Sequence, residues 1–253
     1  MRRYFFCFFA ISNNENRMDM NRTLKAIAAL MVIGILFLFL GCNGKTQSGI
    51  INGHAYVDLG LPSGTLWATC NVGASEPEDY GNYYAWGETT TKITYNLVTY
   101  KYANGSYIQL TKYCNDPRCG NDGFIDNLTT LQASDDPATA NWGGGWRTPT
   151  NAQWNELMNY TTNNWIAQNG VKGRLFTSKK NGNSLFLPAA GFRWDNELRN
   201  AGDYGCYWSS SLDTGVLGNV EYFDFYSDGY HMHSDFDRVR GQSVRAVRWF
   251  RIN

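Results

Sequence analysis

Only three histidines occur in the 253 residues, and two of them, His231 and His233, stand two apart with Asp228, Asp235 and Asp237 close by. In an extended segment, positions i and i+2 share a face, so both imidazoles point the same way. Zinc accepts such a set of imidazole nitrogens and carboxylate oxygens. The sequence carries no sign of a fixed geometry, so the favoured reading is an exposed polar turn that holds no metal. A second stretch with chemical potential is NWGGGWRTPTNAQWNEL, from Asn141 to Leu157, where three glycines run into a helix start. Phosphate loops use such glycines to aim backbone N–H groups at an anion. Here there is no Gly-Lys-Ser/Thr, and Thr148 takes the place of the third glycine in a dinucleotide fingerprint, which argues against nucleotide binding. The glycines are then expected to turn the backbone tightly while Trp142 and Trp146 enter the core, with Arg147 placed to pair with a carboxylate or carbonyls. Nucleophilic catalysis has little to build on, because Ser209, Ser210 and Ser211 lack a Gly-x-Ser-x-Gly setting.

Four cysteines follow residue 42: Cys70, Cys114, Cys119 and Cys206. Cys114 and Cys119 bracket the turn-like Asn-Asp-Pro-Arg, so a small-loop disulfide is expected between them. Cys70 and Cys206 would then either pair or stay as buried thiols. The C-x4-C spacing alone is a weak zinc signal, since no second pair of ligands stands beside it.

The elements that must position these groups read as α+β. Thr150 is a good N-cap and Gln153 stands at the capping-box position, so a helix begins there, with Trp154, Leu157 and Met158 on its buried face. Two extended segments flank Pro62-Ser63-Gly64. Asn-Gly at 169–170 and at 181–182 marks turns between strands, and further strands are expected around CYWSSSL, VEYFDFYS and SVRAVRW. From Glu76 to Tyr113 there is no sustained helical period, and 114–135 reads as a surface excursion rich in Asn, Asp and Gly. No repeat period emerges, so one domain is expected over 51–253.

The start of the chain has a different character. Ala26 to Leu40 is an apolar run of signal-peptide length, too short for a comfortable membrane span. It ends in Gly41-Cys42, which resembles a bacterial lipobox with Phe39 where leucine is preferred. On that reading 20–41 is a lipoprotein signal peptide, Cys42 is the lipidated residue and 42–50 is a polar tether, while a plain export signal or membrane anchor is the alternative. Met20 opens a conventional basic n-region, which makes 1–19 an extension ahead of the true start. Five of the 22 basic and two of the 22 acidic residues lie in 1–42, leaving 17 against 20 and a net charge of −3. That balance disfavours nucleic acid as a partner.

The segments VDLGLPSGTLWATCNVGA, EDYGNYYAWGET, WGGGWRTPTNAQWNEL, NGNSLFLPAAGFR, YWSSS and GQSVRAVR, in that order, together resemble the Fibrobacter succinogenes major paralogous domain of exported Bacteroidetes proteins and lipoproteins. Arg-x-Pro-Thr-x-x-x-Trp on a helix, followed by late strands, also resembles the C-type lectin-like fold, formylglycine-generating enzymes included. The resemblance implies a single such domain with one main early helix, a twisted, mostly antiparallel sheet and long loops. It puts ligand contacts in the late loops, at Trp194, Asp195, Asn196 and Glu197, and at Tyr230 and His231. The first group offers an aromatic face and oxygens that stack on sugars and can hold Ca²⁺. The expected role is a lipid-anchored envelope or cell-surface protein binding an extracellular glycan or protein without catalysis. An enzyme on the same fold and an adhesive subunit of a surface assembly are the alternatives.

Overall fold

The computed structural model describes residues 48–216, 218–235 and 237–249. The expected extension 1–19, signal peptide 20–41 and lipidation site Cys42 lie outside the described residues. The described residues fall within a single compact unit, Thr46–Asn253. Among the described residues most of the regular structure is antiparallel sheet, with two α-helices, in keeping with the expected α+β class. Among the described residues no helix is long and apolar enough to cross a membrane.

The domain opens earlier than the expected tether allows. β1 (Ser48–Ile51) pairs with β2 (His54–Asp58) across Asn52-Gly53, whose φ angles of 52° and 81° make a two-residue hairpin turn. The tether reading fails at its last three residues because Ile50 and Ile51 precede this turn and complete a strand. β3 (Thr65–Ala68) adds to β2 beyond the Pro62-Ser63-Gly64 turn, and β12 (Val247–Trp249) adds to β3. The first and last strands of the unit thereby share one four-stranded sheet.

The helix expected at Thr150 is α2 (Asn151–Tyr160), and its capping box is complete in both directions. Such a cap contributes about 1 kcal/mol. Trp154 and Leu157 are fully buried, and Met158 packs at the edge of the same cluster. The Trp154 ring stacks on Phe223 at 4.7 Å and meets Trp67 at 4.8 Å, joining the helix to two sheets. A shorter helix, α1 (Pro137–Trp142), precedes it and has too few residues to carry a readable period. The Asp136 carboxylate caps α1 by accepting from the N–H groups of Ala138 and Thr139, and it also accepts from Thr148 N–H and Oγ1. Burial pushes the Asp136 carboxyl up, against the pull of those hydrogen bonds.

After α2, β4 (Thr161–Gln168), β5 (Val171–Ser178) and β6 (Ser184–Pro188) form a meander whose first turn is Asn169-Gly170. β7 (Phe192–Trp194) and β8 (Glu197–Arg199) make a small hairpin. β9 (Gly205–Leu212), β10 (Val220–Phe225) and β11 (Tyr230–Asp235) form a second meander in the order β11-β10-β9. Strand alternation sends Tyr207, Phe223 and Phe225 into one apolar cluster and Cys206, Trp208, Val220 and Tyr222 into another. The meander is therefore a wall with core on both faces.

Residues 114–135 lie largely at the surface, as expected, with Cys114, Cys119 and Asp135 buried, whereas the aromatic stretch before them enters the core. The chain between β3 and α1 lacks regular strands, yet Tyr84, Trp86, Tyr95, Tyr100, Tyr113 and Cys114 are buried. Asp135 anchors part of it by accepting from Lys112 Nζ and Tyr113 Oη, each at 2.6 Å. Burial favours the neutral acid, but those bonds hold the carboxyl at about 2. Tyr100 Oη donates to the Trp86 carbonyl at 2.9 Å inside the same cluster. Tyr100→Phe leaves that carbonyl without its donor and is expected to cost about 1–3 kcal/mol in urea unfolding; an unchanged midpoint would show that the carbonyl finds another partner.

Candidate functional site

The glycine-rich stretch is a clamp within the fold. Gly143, Gly144 and Gly145 take φ angles of 59°, 57° and 85°, which only glycine adopts without strain. Trp146 is fully buried, its Nε1 donating to the Ile51 carbonyl at 3.2 Å, and Trp142 stacks on His54 at 3.9 Å. Asn52 Nδ2 donates to the Trp142 carbonyl, so the stretch grips the β1–β2 turn. The N–H groups of Gly143, Trp146, Arg147 and Thr148 are engaged by Thr139, Gly143, Val247 and Asp136, which leaves few to hold a phosphate. The Arg147 side chain is exposed, and its contact to the sheet is made by the backbone, which exchanges two hydrogen bonds with Val247.

The β7–β8 hairpin carries Trp194, Asp195, Asn196 and Glu197 around a two-residue turn, with Asp195 at φ 51°. Two backbone clasps hold it: Asp195 with Tyr95 at 2.8 and 3.0 Å, and Arg193 with Gly241 at 2.7 and 2.9 Å. Between the hairpin and residues 81–95 lies an open cleft of about 370 Å³, lined by Tyr83, Tyr95, Lys92, Arg193 and Asn196 among others. Tyr83 Oη donates to the Ala190 carbonyl and Tyr95 Oη to the Tyr83 carbonyl, each at 2.6 Å, so the aromatic wall is fixed. The Arg193 guanidinium lies 5.4 Å from the centre of the Tyr83 ring. Lys92 Nζ bonds Glu88 Oε1 at 2.8 Å at the cleft's rim.

Trp194 itself is half-buried, and its ring is faced by Arg240 at 4.2 Å and Arg199 at 5.6 Å. A ring already covered by guanidinium offers less open face to a sugar. The hairpin carboxylates do not converge: Asp195 Oδ1 accepts from Asn96 at 2.9 Å, and Glu197 pairs with Arg199 at 3.0 Å on the surface. A Ca²⁺ ion asks for several converging oxygens, and the hairpin supplies none in that arrangement.

The second expected ligand loop is largely a strand, because β11 covers Tyr230–Asp235. The polar sequence hid it: strand position here is set by pairing with β10 more than by apolar content. Alternation then separates two expected neighbours. Tyr230 packs with Phe176 and Phe223 on one face, while His231 and His233 lie on the other. Asp228 sits exposed in the turn with Ser227 Oγ donating to it, and the side chains of Asp235 and Asp237 lie outside the described ones. Nothing in the sequence nominated Asp224, the acid that faces the histidines, since its place depends on register across β10 and β11. Ser209 and Ser210 are buried strand residues, and Ser211 Oγ accepts from Asn151 N–H.

The four cysteines among the described residues are free thiols, but Cys114 Sγ and Cys119 Sγ are 3.3 Å apart and buried. Burial pushes the Cys114 thiol up to about 11, so it is protonated at neutral pH. Exchange with oxidised glutathione is expected to join the two sulfurs, with two molecules of reduced glutathione leaving, and to run faster as pH rises because the thiolate is the nucleophile. Peptide mapping under non-reducing conditions reads the bridge; a Cys70–Cys206 bridge in its place would overturn the expectation. Comparison of the chain with protein-family models, with curated proteins and with solved structures finds no match.

Proposed function

We propose that this chain is an exported, lipid-anchored protein of the outer membrane or cell surface whose folded domain binds an extracellular glycan or protein without turning it over. The observation that carries the reading is the cleft beside the β7–β8 hairpin. Backed by the buried Tyr83 and Tyr95, the Asn196 amide and the Arg193 and Lys92 cations supply polar donors and an acceptor on a fixed backbone. That mixture suits a polyhydroxylated ligand, which needs many weak, directed contacts and little apolar volume. We favour a glycan, with the cleft as the binding surface and Trp194 as a support for its wall.

Two helices, late antiparallel strands and long intervening loops support placing the domain with C-type lectin-like folds, as the resemblance to the Fibrobacter succinogenes major paralogous domain implies. The apolar run ending at Gly41-Cys42 supports the acyl anchor. Metabolic labelling with an alkyne fatty acid in a bacterial host is expected to mark the wild-type protein and not Cys42→Ser; equal labelling of both would remove the anchor at this residue.

A polysaccharide panel run on the purified protein, with Ca²⁺ and with EDTA, tests the ligand reading. Saturable binding is expected, weakened about fivefold by Asn196→Ala, as the loss of roughly 1 kcal/mol of hydrogen bonding gives. Trp194→Ala reports whether the ring contributes directly. A blank panel on folded protein would rule out the glycan and leave a protein ligand.

A further inference from the structure

The outer strand of the β11-β10-β9 meander holds a donor set that the cleft does not use. His231 stands directly opposite Asp224 in the β10–β11 ladder, and His233 stands opposite Tyr222, one pleat along the same face. Directly opposed side chains start about 5 Å apart and diagonal ones about 7–8 Å, so one carboxylate can serve both rings. His231 Nδ1 lies 3.6 Å from Asp224 Oδ1, and His233 Nε2 lies 3.3 Å from Oδ2. One donor atom from each of the three residues falls within 4.8 Å of the others. Donors arranged tetrahedrally around zinc at its usual bond lengths sit about 3.4 Å apart. Each His-to-carboxylate distance is close to that edge, although each runs to a different Asp224 oxygen, and rotation of the two half-exposed imidazoles would bring both nitrogens onto one ion.

A second observation separates this group from an ordinary surface cluster. The Asp224 side chain is only 3% exposed, with Oδ1 lacking a hydrogen-bond partner among the described residues. An unpaired buried carboxylate oxygen is costly, and a bound cation removes that cost. Its other oxygen accepts a hydrogen bond from Tyr204 Oη. This is the outer contact that orients a ligating carboxylate. Aromatic rings flank the histidines as well: His233 stacks on Tyr222 at 5.7 Å and His231 tilts against Tyr226 at 5.8 Å.

We propose that Asp224, His231 and His233 form a three-residue binding site for a zinc-class divalent ion, with Tyr204 positioning the carboxylate. Two imidazoles with one carboxylate suit zinc and its neighbours and disfavour calcium or magnesium, which take oxygen ligands. Three protein donors leave a coordination position open, and the half-exposed rings put it toward solvent, where water or an incoming donor can enter. The site is independent of the cleft, so its failure and the failure of the glycan reading are separate results.

The purified full-length protein, stripped with chelator and exchanged into metal-free buffer, is titrated with Zn²⁺ against a chromogenic chelator. A His231→Ala/His233→Ala double variant is run beside it, which accounts for metal held by cysteines elsewhere in the chain. One saturable equivalent is expected in the wild type and at least a hundredfold weaker binding in the variant. Because both histidines are half-exposed, the variant is expected to keep its metal-free melting temperature, showing that it is folded. Co²⁺ is expected to give the visible absorption of a low-coordinate nitrogen and oxygen site in the wild type alone. Equal zinc uptake by both proteins, or no saturable uptake by the wild type, would mean that Asp224 is only a charge partner for the histidines and would overturn the site.

Discussion

Backbone carbonyls buried outside any ladder must find donors, and in this domain the rings and guanidinium groups supply them. Trp86 Nε1 donates to Ser209, Trp208 Nε1 to Tyr84, Trp154 Nε1 to Trp208, and Tyr207 Oη to Pro188, all between 2.6 and 3.3 Å. Most of these bonds link segments far apart in sequence, and those of Trp86 and Tyr84 also fix where their irregular segment lies. A buried carbonyl left alone costs about 1–3 kcal/mol, a large share of the marginal stability of any domain. Tyrosine and tryptophan solve two problems at once, since the ring fills apolar volume and its polar tip satisfies a buried carbonyl. The 16 tyrosines and nine tryptophans of the chain make sense on those terms.

Arg245 carries the same logic to a charged group. It is fully buried, and its donors reach Asn71 Oδ1 and the carbonyls of Ala68 and Thr69, where the chain leaves β3. Burial lowers its pKa, opposed by the nearby Tyr207 hydroxyl. Arg238 spans Tyr113 and Trp86 in a similar way, donating to the Tyr113 carbonyl with its guanidinium 5.6 Å from the Trp86 ring. These arginines tie the end of the chain to its early loops, so the segment SVRAVR owes its pattern to the interior. The β7–β8 hairpin and the wall of the cleft rest on that frame.

The two surfaces singled out for function share Tyr204 as a packing residue. Tyr204 meets Phe192 of the hairpin at a ring distance of 6.3 Å and donates to Asp224 behind the histidines. Burial, with Cys206 and Asp224 nearby, pushes its hydroxyl well above the ordinary tyrosine range, so it remains a donor at any physiological pH. The hairpin and the outer edge of the meander are thereby built on one rigid segment, Gly191 to Cys206, which is clasped by the Gly191–Tyr204 backbone bond at 2.7 Å.

Local signals were legible in the sequence wherever the physics is local. Thr150 and Gln153 cap a helix, Asn169-Gly170 turns a hairpin, and Trp154 and Leu157 share a face, because each depends on residues within a few positions. Asn52-Gly53 carried the same turn signal, and it outweighs the polar composition that suggested a tether. Long-range partners were not legible. Asp224 meets His231 and His233 only through the register of two strands, and Trp194 meets Arg240 only through the folded path of the chain between them. By itself the sequence determined the α+β class, the main helix, the turns and the aromatic character of the interior. The tertiary structure decided which acid faces the histidines, that Tyr230 and His231 part to opposite faces, and that the three glycines clamp a hairpin, because each is a matter of which distant backbone lies alongside.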